Sequence, residues 1–518
     1  MPVQQLSEAF ENYVSNNIPI HLLDVRNIQV TSNISDLTLL TREDVRKISL
    51  PKIEALEEAN ILAEWALLGL EEWEDWRKCD LTPLIQGHIK YAIFSHRWSS
   101  TGEPSFTDIS QWNNAFGAGD GWMKLLNFCK KAKEHGCDYA WSDTCCINKT
   151  SSAELEEAIR SMYRWYSNAE VCIAYLEGSS SVKDFGTEPW FTRGWTLQEL
   201  LAPRKTKFYG KGWDPILPQM SLESNDKEQH DLSNAIEQIT RIPKYQLVNF
   251  RPGCYRVWEK LLWASRRTTT RREDMAYCLI GMLNISMPIA YGEGDWAFHR
   301  LMEAILQRCN EPEIFVWIGQ PSPHSLVLPS SPACYEGIWD LQTARQLHLQ
   351  PSQDWQVLPA WNSNIGDRTL MLTIHGLEIE LLIAEVEMVA IDDSISHGDT
   401  WLTLRLDWNL PGSTSVGETI RVHTDIRRLY LEPVWVLGVI NYEKISAGHG
   451  RLRTGVSYLC FLLGSPYNPT RWTKFYTRNP LILRCEREVD VPLRKVCLQH
   501  RSATQEYLPW LKKTAVRF

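Results

Sequence analysis

The sequence predicts an α/β unit built on a parallel sheet, then a helical stretch, then a β-rich C-terminal region. Three observations predict this. Between residues 91 and 209, short apolar runs alternate with segments of helical periodicity, the pattern of a parallel sheet covered by helices. Residues 231–310 carry apolar positions at helical spacing, ending in DWAFHRLMEAILQRC. From about residue 335 onward, period-two and β-branched runs dominate, including LMLTIHGLEIELLIAEVEMVA, TWLTLRLDW, PVWVLGVINY and NPLILRCE.

The elements follow in order. PIHLLDV, residues 19–25, reads as a strand. Residues 32–90 read as mainly helical, with ALEEANILAEWALLGLEEWEDW the strongest segment. Residues 91–94, 139–141, 171–176 and 205–209 read as strands. Trp122, Leu125, Leu126, Cys129 and Ala132 mark one face of a helix, with Gly136 as its stop. Ser151-x-x-Glu154 is a capping box, and Leu155, Ala158, Ile159, Met162, Trp165 and Tyr166 line the helix it opens, with Glu156, Glu157 and Arg160 on the wet side. A short helix is expected around residues 195–201. SNDKEQHD and PSPHSLVLPSSP both read as linkers, and Gly292 and Gly294 as a turn before a helix opened by Asp295.

Bulk properties exclude several classes. A formal net charge of −9 argues against generic nucleic-acid or anionic-membrane binding. Thirteen Cys in 518 residues do not make a disulfide scaffold, and the absence of CxxC, HExxH and GxxxxGK[ST] leaves no readable zinc site or P-loop. Buried free thiols are expected, Cys145 and Cys146 among them. The polar, acidic N-terminus is unlike a signal peptide, and no apolar run is long enough for a membrane span, so a cytoplasmic protein is expected.

Three segments sit just beyond predicted strands: YAIFSHRW (91–98), YAWSDTCCINK (139–149) and FTRGWTLQELLAP (191–203). Parallel sheets bind ligands outside the carboxyl ends of their strands, so Ser95, His96, Arg97, Asp143, Arg193, Trp195 and Glu199 are candidates for one cleft. Each also has a plainer reading. Glu199 reads as a helix-surface acid paired with Arg193 or Arg97, Asp143 as a turn acid, and His96 as a packed histidine.

These three segments, in this order and spacing, resemble the heterokaryon incompatibility (HET) domain of filamentous fungi. Asn148 stands where that family usually has Asp. TTTRREDMAYCLIGMLNISMPIAYGEG, residues 268–294, resembles the segment that follows many such domains. The resemblance spans about residues 20–310, with the domain itself at about 20–203. It implies a fungal protein of non-self recognition that triggers programmed cell death. The expected division is a HET domain with an N-terminal helical region at 1–213 (core motifs 91–203), a helical extension at 231–312, and a β-rich domain of unassigned role at 335–518.

HET domains are in turn similar to Toll/interleukin-receptor (TIR) domains, of flavodoxin-like fold, several of which cleave NAD with a glutamate in a WCLxEL segment. WTLQEL aligns with that segment, placing Trp195 and Glu199 at its Trp and Glu, with Thr196 in place of Cys. The resemblance implies Glu199 as the catalytic residue with Trp195 beside it and NAD as substrate, and the strand-end argument adds Ser95, His96, Arg97, Asp143 and Arg193 as the residues around that NAD. No cofactor or metal is required. On a helix, Trp195, Glu199 and Ala202 share one face, and Leu197, Leu200 and Leu201 the other. The alternative is a non-enzymatic assembly module that self-associates or recruits a protein partner through the HET domain.

Overall fold

The computed structural model describes residues 2–500 apart from 30, 32–35, 55–80, 100–101, 111–118, 220, 310, 339–369, 393–400, 409–417, 424–433, 441, 455–456, 466–470, 478–480 and 485–487. The helix expected at 55–76 lies outside the described residues. The chain forms two compact units, one of Met1–Pro252 with Cys278–Met282, the other of Gly253–Tyr277 with Leu283–Phe518.

The first unit runs α1 (Pro2–Asn17), β1 (His21–Asp24), β2 (Thr38–Thr41), α2 (Arg42–Glu54), α3 (Thr82–His88), β3 (Tyr91–His96), α4 (Phe106–Ser110), α5 (Asp120–Glu134), β4 (Tyr139–Trp141), α6 (Ser152–Asn168), β5 (Val171–Tyr175), α7 (Thr196–Leu201), β6 (Thr206–Tyr209), α8 (His230–Thr240) and α9 (Lys244–Asn249). Its sheet has the order β2-β1-β4-β3-β5-β6. β3 pairs parallel with both β4 and β5, and β5 pairs parallel with β6. β1 and β2 extend the β4 edge antiparallel. Counted along the chain, the four parallel strands lie in the order 2-1-3-4. The winding therefore reverses at β3, and the crevice beyond the carboxyl ends of β3 and β5 is the topological switch point.

Local sequence explains the helices. Ser151 accepts the Glu154 amide at 3.4 Å at the start of α6. Ala158, Ile159, Met162, Trp165 and Tyr166 are buried, Leu155 packs against the same core, and Glu157 and Arg160 are exposed; Glu156 is half-buried and paired with Arg160. On α5, Trp122, Leu125, Leu126, Cys129 and Ala132 are buried as a face. That helix stops at Gly136, whose φ of +73° is cheap for glycine, with the Cys137 amide bonded to the Ala132 carbonyl at 3.1 Å.

The segment SNDKEQHD is not a linker. Asn225, Asp226 and Lys227 are buried against β6 and α7. Asn225 accepts the Thr206 amide at 3.1 Å, and Asp226 accepts the Phe208 amide at 2.9 Å and pairs with Lys207. Composition predicted a solvated run; here the polar groups satisfy a strand edge that would otherwise be orphaned.

His135, just after α5, lies 3.0 Å from the Tyr209 hydroxyl through Nε2. Burial, reinforced by Lys205 and Lys207, pushes its imidazole down to about 4. The unfolded chain takes up this proton near pH 6.5, while the folded chain resists it until about 4. Stability is therefore full above pH 6.5 and falls as pH drops through that window. His135→Gln keeps the bond to Tyr209 without titrating. It is expected to flatten the loss between pH 6.5 and 4 by about 2 kcal/mol, discounted for partial solvent access. Urea titrations at several pH values check this; parallel curves for both proteins would contradict it.

The second unit contains α10 (Val257–Ala264), α12 (Trp296–Leu306), the hairpin β7 (Pro321–Ser322) and β8 (Ser325–Pro329), and strands β9 (Met371–Thr373) to β19 (Val489–Gln499). The helix α11 (Asp274–Leu283) contributes residues to both units. Gly292 and Gly294 have positive φ and donate their amides to Glu273, forming the expected turn ahead of Asp295 and α12. The stretch 321–332 is a correction. Its Pro and Ser residues suggested a linker, but Leu326, Val327 and Leu328 are buried, and the Leu326 amide bonds to the His500 carbonyl at 2.8 Å. A short apolar core outweighs the flanking turn composition.

The β-rich prediction holds. β10 (Gly376–Asp392), β13 (Val434–Val439), β16 (Ser457–Ser465), β17 (Arg471–Thr477) and β19 form a closed ring, since β19 pairs with both β10 and β17, and β17 with β16. Closure satisfies edge strands internally. Among the described residues, no helix is long and apolar enough to cross a membrane.

Candidate functional site

At the switch point the first and third motifs meet through Ser95 and Glu199, while the second meets the first at the rim through Asp143 and Trp98. β3 alternates its side chains, so Tyr91, Ile93 and Ser95 face one way, and Ala92, Phe94 and His96 the other. On the first face Tyr91 donates to the Trp165 carbonyl of α6 at 2.5 Å. There Ser95 donates to Glu199 of α7 at 2.5 Å and accepts the Trp190 indole N–H at 2.9 Å. All three side chains are buried, Glu199 with only 6% exposure. The hydrogen bonds run from Trp190 to Ser95 to Glu199, each donor aimed at the next acceptor.

Helix α7 is held at both ends. Thr196 donates to the carbonyls of Trp190 at 2.6 Å and Arg193 at 2.9 Å. The buried Lys227 donates to the Leu200 and Pro203 carbonyls at 3.1 and 2.6 Å, capping the last turn. Burial pushes that ammonium down to about 8. The expected two-faced helix is not observed. Every residue from Thr196 to Leu201 is buried, so Glu199 is an interior acid and not a surface one. Trp195 and Arg193 are half-buried, and Trp195 packs on the core of its unit.

His96 belongs to the opposite face. Its ring stacks on Phe94 at 4.0 Å, and Phe94 stacks on Phe128 of α5 at 4.3 Å. Nε2 lies 3.8 Å from Glu103, which also pairs with the buried Lys124. Lys124 in turn donates to the Arg97 carbonyl and the Ser99 hydroxyl, both at 3.1 Å. Burial lowers the His96 imidazole below its ordinary range. Burial works to raise Glu103, but the His96 ring and the Lys124 ammonium outweigh it and bring that carboxyl to about 2. Ser95 and Glu199 thus form one polar centre, and His96, Glu103 and Lys124 a second, on the two sides of one strand.

Above this edge the chain is open to solvent. Asp143, half-buried, accepts the Trp98 indole N–H at 2.9 and 3.1 Å; Lys149 sits 4.0 Å over the Trp98 ring, and Trp98 is 41% exposed. Arg97 is exposed. Asn148 accepts from the Thr150 amide at 3.1 Å and hydroxyl at 2.6 Å. Asp offers the same acceptor oxygen, so this departure from the family motif preserves a turn. Cys145 and Cys146 are buried free thiols.

Sequence reasoning missed Trp190, Glu103, Lys124 and Lys227. Lys124 had a signal, a cation next to the apolar stripe of α5. Glu103 sits on an irregular segment and Trp190 on the single 3-10 turn Pro189–Thr192, too short for periodicity to mark either. The site residues named in advance are distributed over two faces and a rim. Among the described residues, no group of three His, Cys, Asp or Glu is arranged to hold a metal ion.

Residues 91–187 match the family model described as Heterokaryon incompatibility protein (HET). The match includes the first two motifs and ends before Glu199. The vegetative incompatibility protein HET-E-1 of Podospora anserina is 37% identical over 229 residues, covering 42% of this chain. The chain spans only 16% of the length of that relative. No solved structure matches.

Proposed function

We propose that this chain, which carries a HET domain, acts in vegetative incompatibility as a cytoplasmic effector of cell death, and that its α/β unit cleaves NAD at Glu199. The incompatibility role rests on the HET match and on the name of the relative. The chemistry rests on one observation, the buried carboxylate of Glu199 joined to Ser95 at the switch point of a parallel sheet. The 2-1-3-4 order of the parallel strands is the order in which flavodoxin-like sheets begin, which supports the TIR-like reading.

In this reading a ribose hydroxyl of NAD replaces Ser95 as the donor to Glu199. The bond between ribose C1′ and the nicotinamide nitrogen breaks, and its electron pair leaves with neutral nicotinamide. The carboxylate stabilises the oxocarbenium-like charge at C1′ until water adds there and releases a proton. The half-buried Trp195 and Arg193 supply a ring and a phosphate-matching cation at the rim.

A second reading has its own support. Because α7 is buried on all sides, Glu199 also serves as an interior lock, and the domain then acts by self-association or by recruiting a protein partner.

NAD loss by purified full-length chain, followed chromatographically, separates the two. The enzyme reading expects Glu199→Gln to cut turnover by at least about 100-fold and to abolish death in fungal cells, with the melting temperature little changed. Intact NAD with the unaltered chain, or death persisting in the variant, would leave assembly as the function.

A further inference from the structure

The C-terminal barrel carries a polar groove that the proposed function does not use. It has a volume of about 300 Å³ and is lined by His375, Glu378, Arg471, Lys495, Val496 and Cys497. Strand register builds it. Cys497 of β19 lies opposite Glu378 of β10 and beside Arg471 of β17, so these three form a row across neighbouring strands. Lys495, two residues before Cys497, shares its face, while Val496 and Leu498 on either side of Cys497 are buried.

The charges do not cancel. Lys495 neutralises Glu378 at 2.9 Å. Arg471 is exposed, and no carboxylate pairs with it among the described residues. His375 adds a third donor at the margin. In a chain of net charge −9, this is a local surplus of positive charge facing a cavity.

Beside the groove the β9–β10 turn presents an apolar side chain. Thr373 pairs with Gly376, which leaves Ile374 and His375 as the turn, and Ile374 is 90% exposed. The turn is pinned. His500 Nε2 lies 2.9 Å from the Thr373 carbonyl, and Thr373 Oγ1 donates to the Gly376 carbonyl at 2.9 Å. Gly376 has φ +151°, and a Cβ there would meet the Leu498 carbonyl oxygen at 2.0 Å, so only glycine permits this close approach. Ile374 thus stands on a fixed turn with its side chain in water.

We propose that this groove binds a phosphomonoester, with Arg471 as the principal ligand and Lys495 and His375 completing the contacts. Arg471, the Lys495 ammonium beside its carboxylate partner and the His375 ring give donors around the groove that match a tetrahedral group with three acceptor oxygens, and the guanidinium fork takes two of them. The phosphate is carried either by a soluble metabolite or by a lipid headgroup. In the lipid case Ile374 enters the acyl boundary beside it.

Cys497 lines the groove and is half-buried, so its alkylation by N-ethylmaleimide, mapped by peptide mass, reports occupancy in the full chain. The probes are inorganic phosphate, a soluble inositol bisphosphate, and phosphatidylcholine vesicles with or without a phosphatidylinositol phosphate. At least one phosphorylated probe is expected to slow Cys497 alkylation, with no such effect from acetate or plain vesicles. Arg471→Gln, at an exposed site, should weaken that protection roughly tenfold or more. If the source is lipid, Ile374→Ser loses protection by vesicles only. If it is soluble, Ile374→Ser behaves as the unaltered chain with every probe. Alkylation unaffected by all phosphorylated probes, equal protection by acetate, or undiminished protection in Arg471→Gln would overturn the proposal.

Discussion

Asp226→Ala is expected to destabilise the α/β unit by about 3–5 kcal/mol, the cost of leaving one member of a buried ion pair without its partner. Asp226 pairs with Lys207, and both side chains are almost fully buried. The same carboxylate accepts the Phe208 amide at 2.9 Å in β6. Burial raises the Asp226 carboxyl above its ordinary range even with Lys207 beside it. Desolvation thus outweighs the attraction at Asp226, and an intact buried pair of this kind adds little net stability. Removing one member is a different matter, because Lys207 keeps only the carbonyls and hydroxyl of Ser221 and Ser224. Asp226→Asn keeps an acceptor for Phe208 and should fall between the two. Urea denaturation checks the order; an Asp226→Ala chain within about 1 kcal/mol of the unaltered one would show that water reaches Lys207.

Met162→Asp should cost roughly 3 kcal/mol or more, since it places an unpaired carboxylate in the core under α6. Met162 is buried in the same cluster as Trp141, Trp165 and Tyr166. Arg160→Ala on the solvent face of the helix is the control, expected within about 0.5 kcal/mol because its pairing with Glu156 is exposed. A thermal melt in which Met162→Asp matches Arg160→Ala would contradict the assignment of the buried face.

Much of the α/β unit was legible because its signals are local. The apolar runs at 91–94, 139–141 and 171–176 became β3, β4 and β5 within two residues at each end, and β3 pairs parallel with the other two. Helix α6 announced its start with Ser151 and its face with a 3.6-residue period. The candidate site was legible in part. Ser95 and Glu199 do meet, although 104 residues separate them. His96 shares the expected cleft because the strand is read to end at Phe94, yet β3 runs on to His96, and neighbours along a strand face opposite ways. Glu199 was read on a two-faced helix, but one-and-a-half turns between two strands leave α7 no solvent side.

The linkers failed for a related reason. SNDKEQHD is as polar as a solvated loop, and PSPHSLVLPSSP has the Pro and Ser of one. Composition reports how much a segment would prefer water, not which unpaired amides await it. The backbone donors of Thr206 and Phe208 made Asn225 and Asp226 interior residues.

By itself the sequence determined the alternation of β3 to β6 with α5 to α7, the buried faces of α5 and α6, the β-rich character of the C-terminal half and the resemblance to a HET domain, while β2 lies where the sequence reads as helical. These depend on periodicity, caps and motif spacing, all of which are written within a few residues of one another. Tertiary structure alone decided that the sheet winds in the order 2-1-3-4, that Trp190 joins Ser95 and Glu199, that His96 turns instead to Glu103 and Lys124, and that β19 closes the barrel against β10 and β17. Each of these depends on which distant groups must satisfy one another once water is excluded, and that choice is made by the whole core at once.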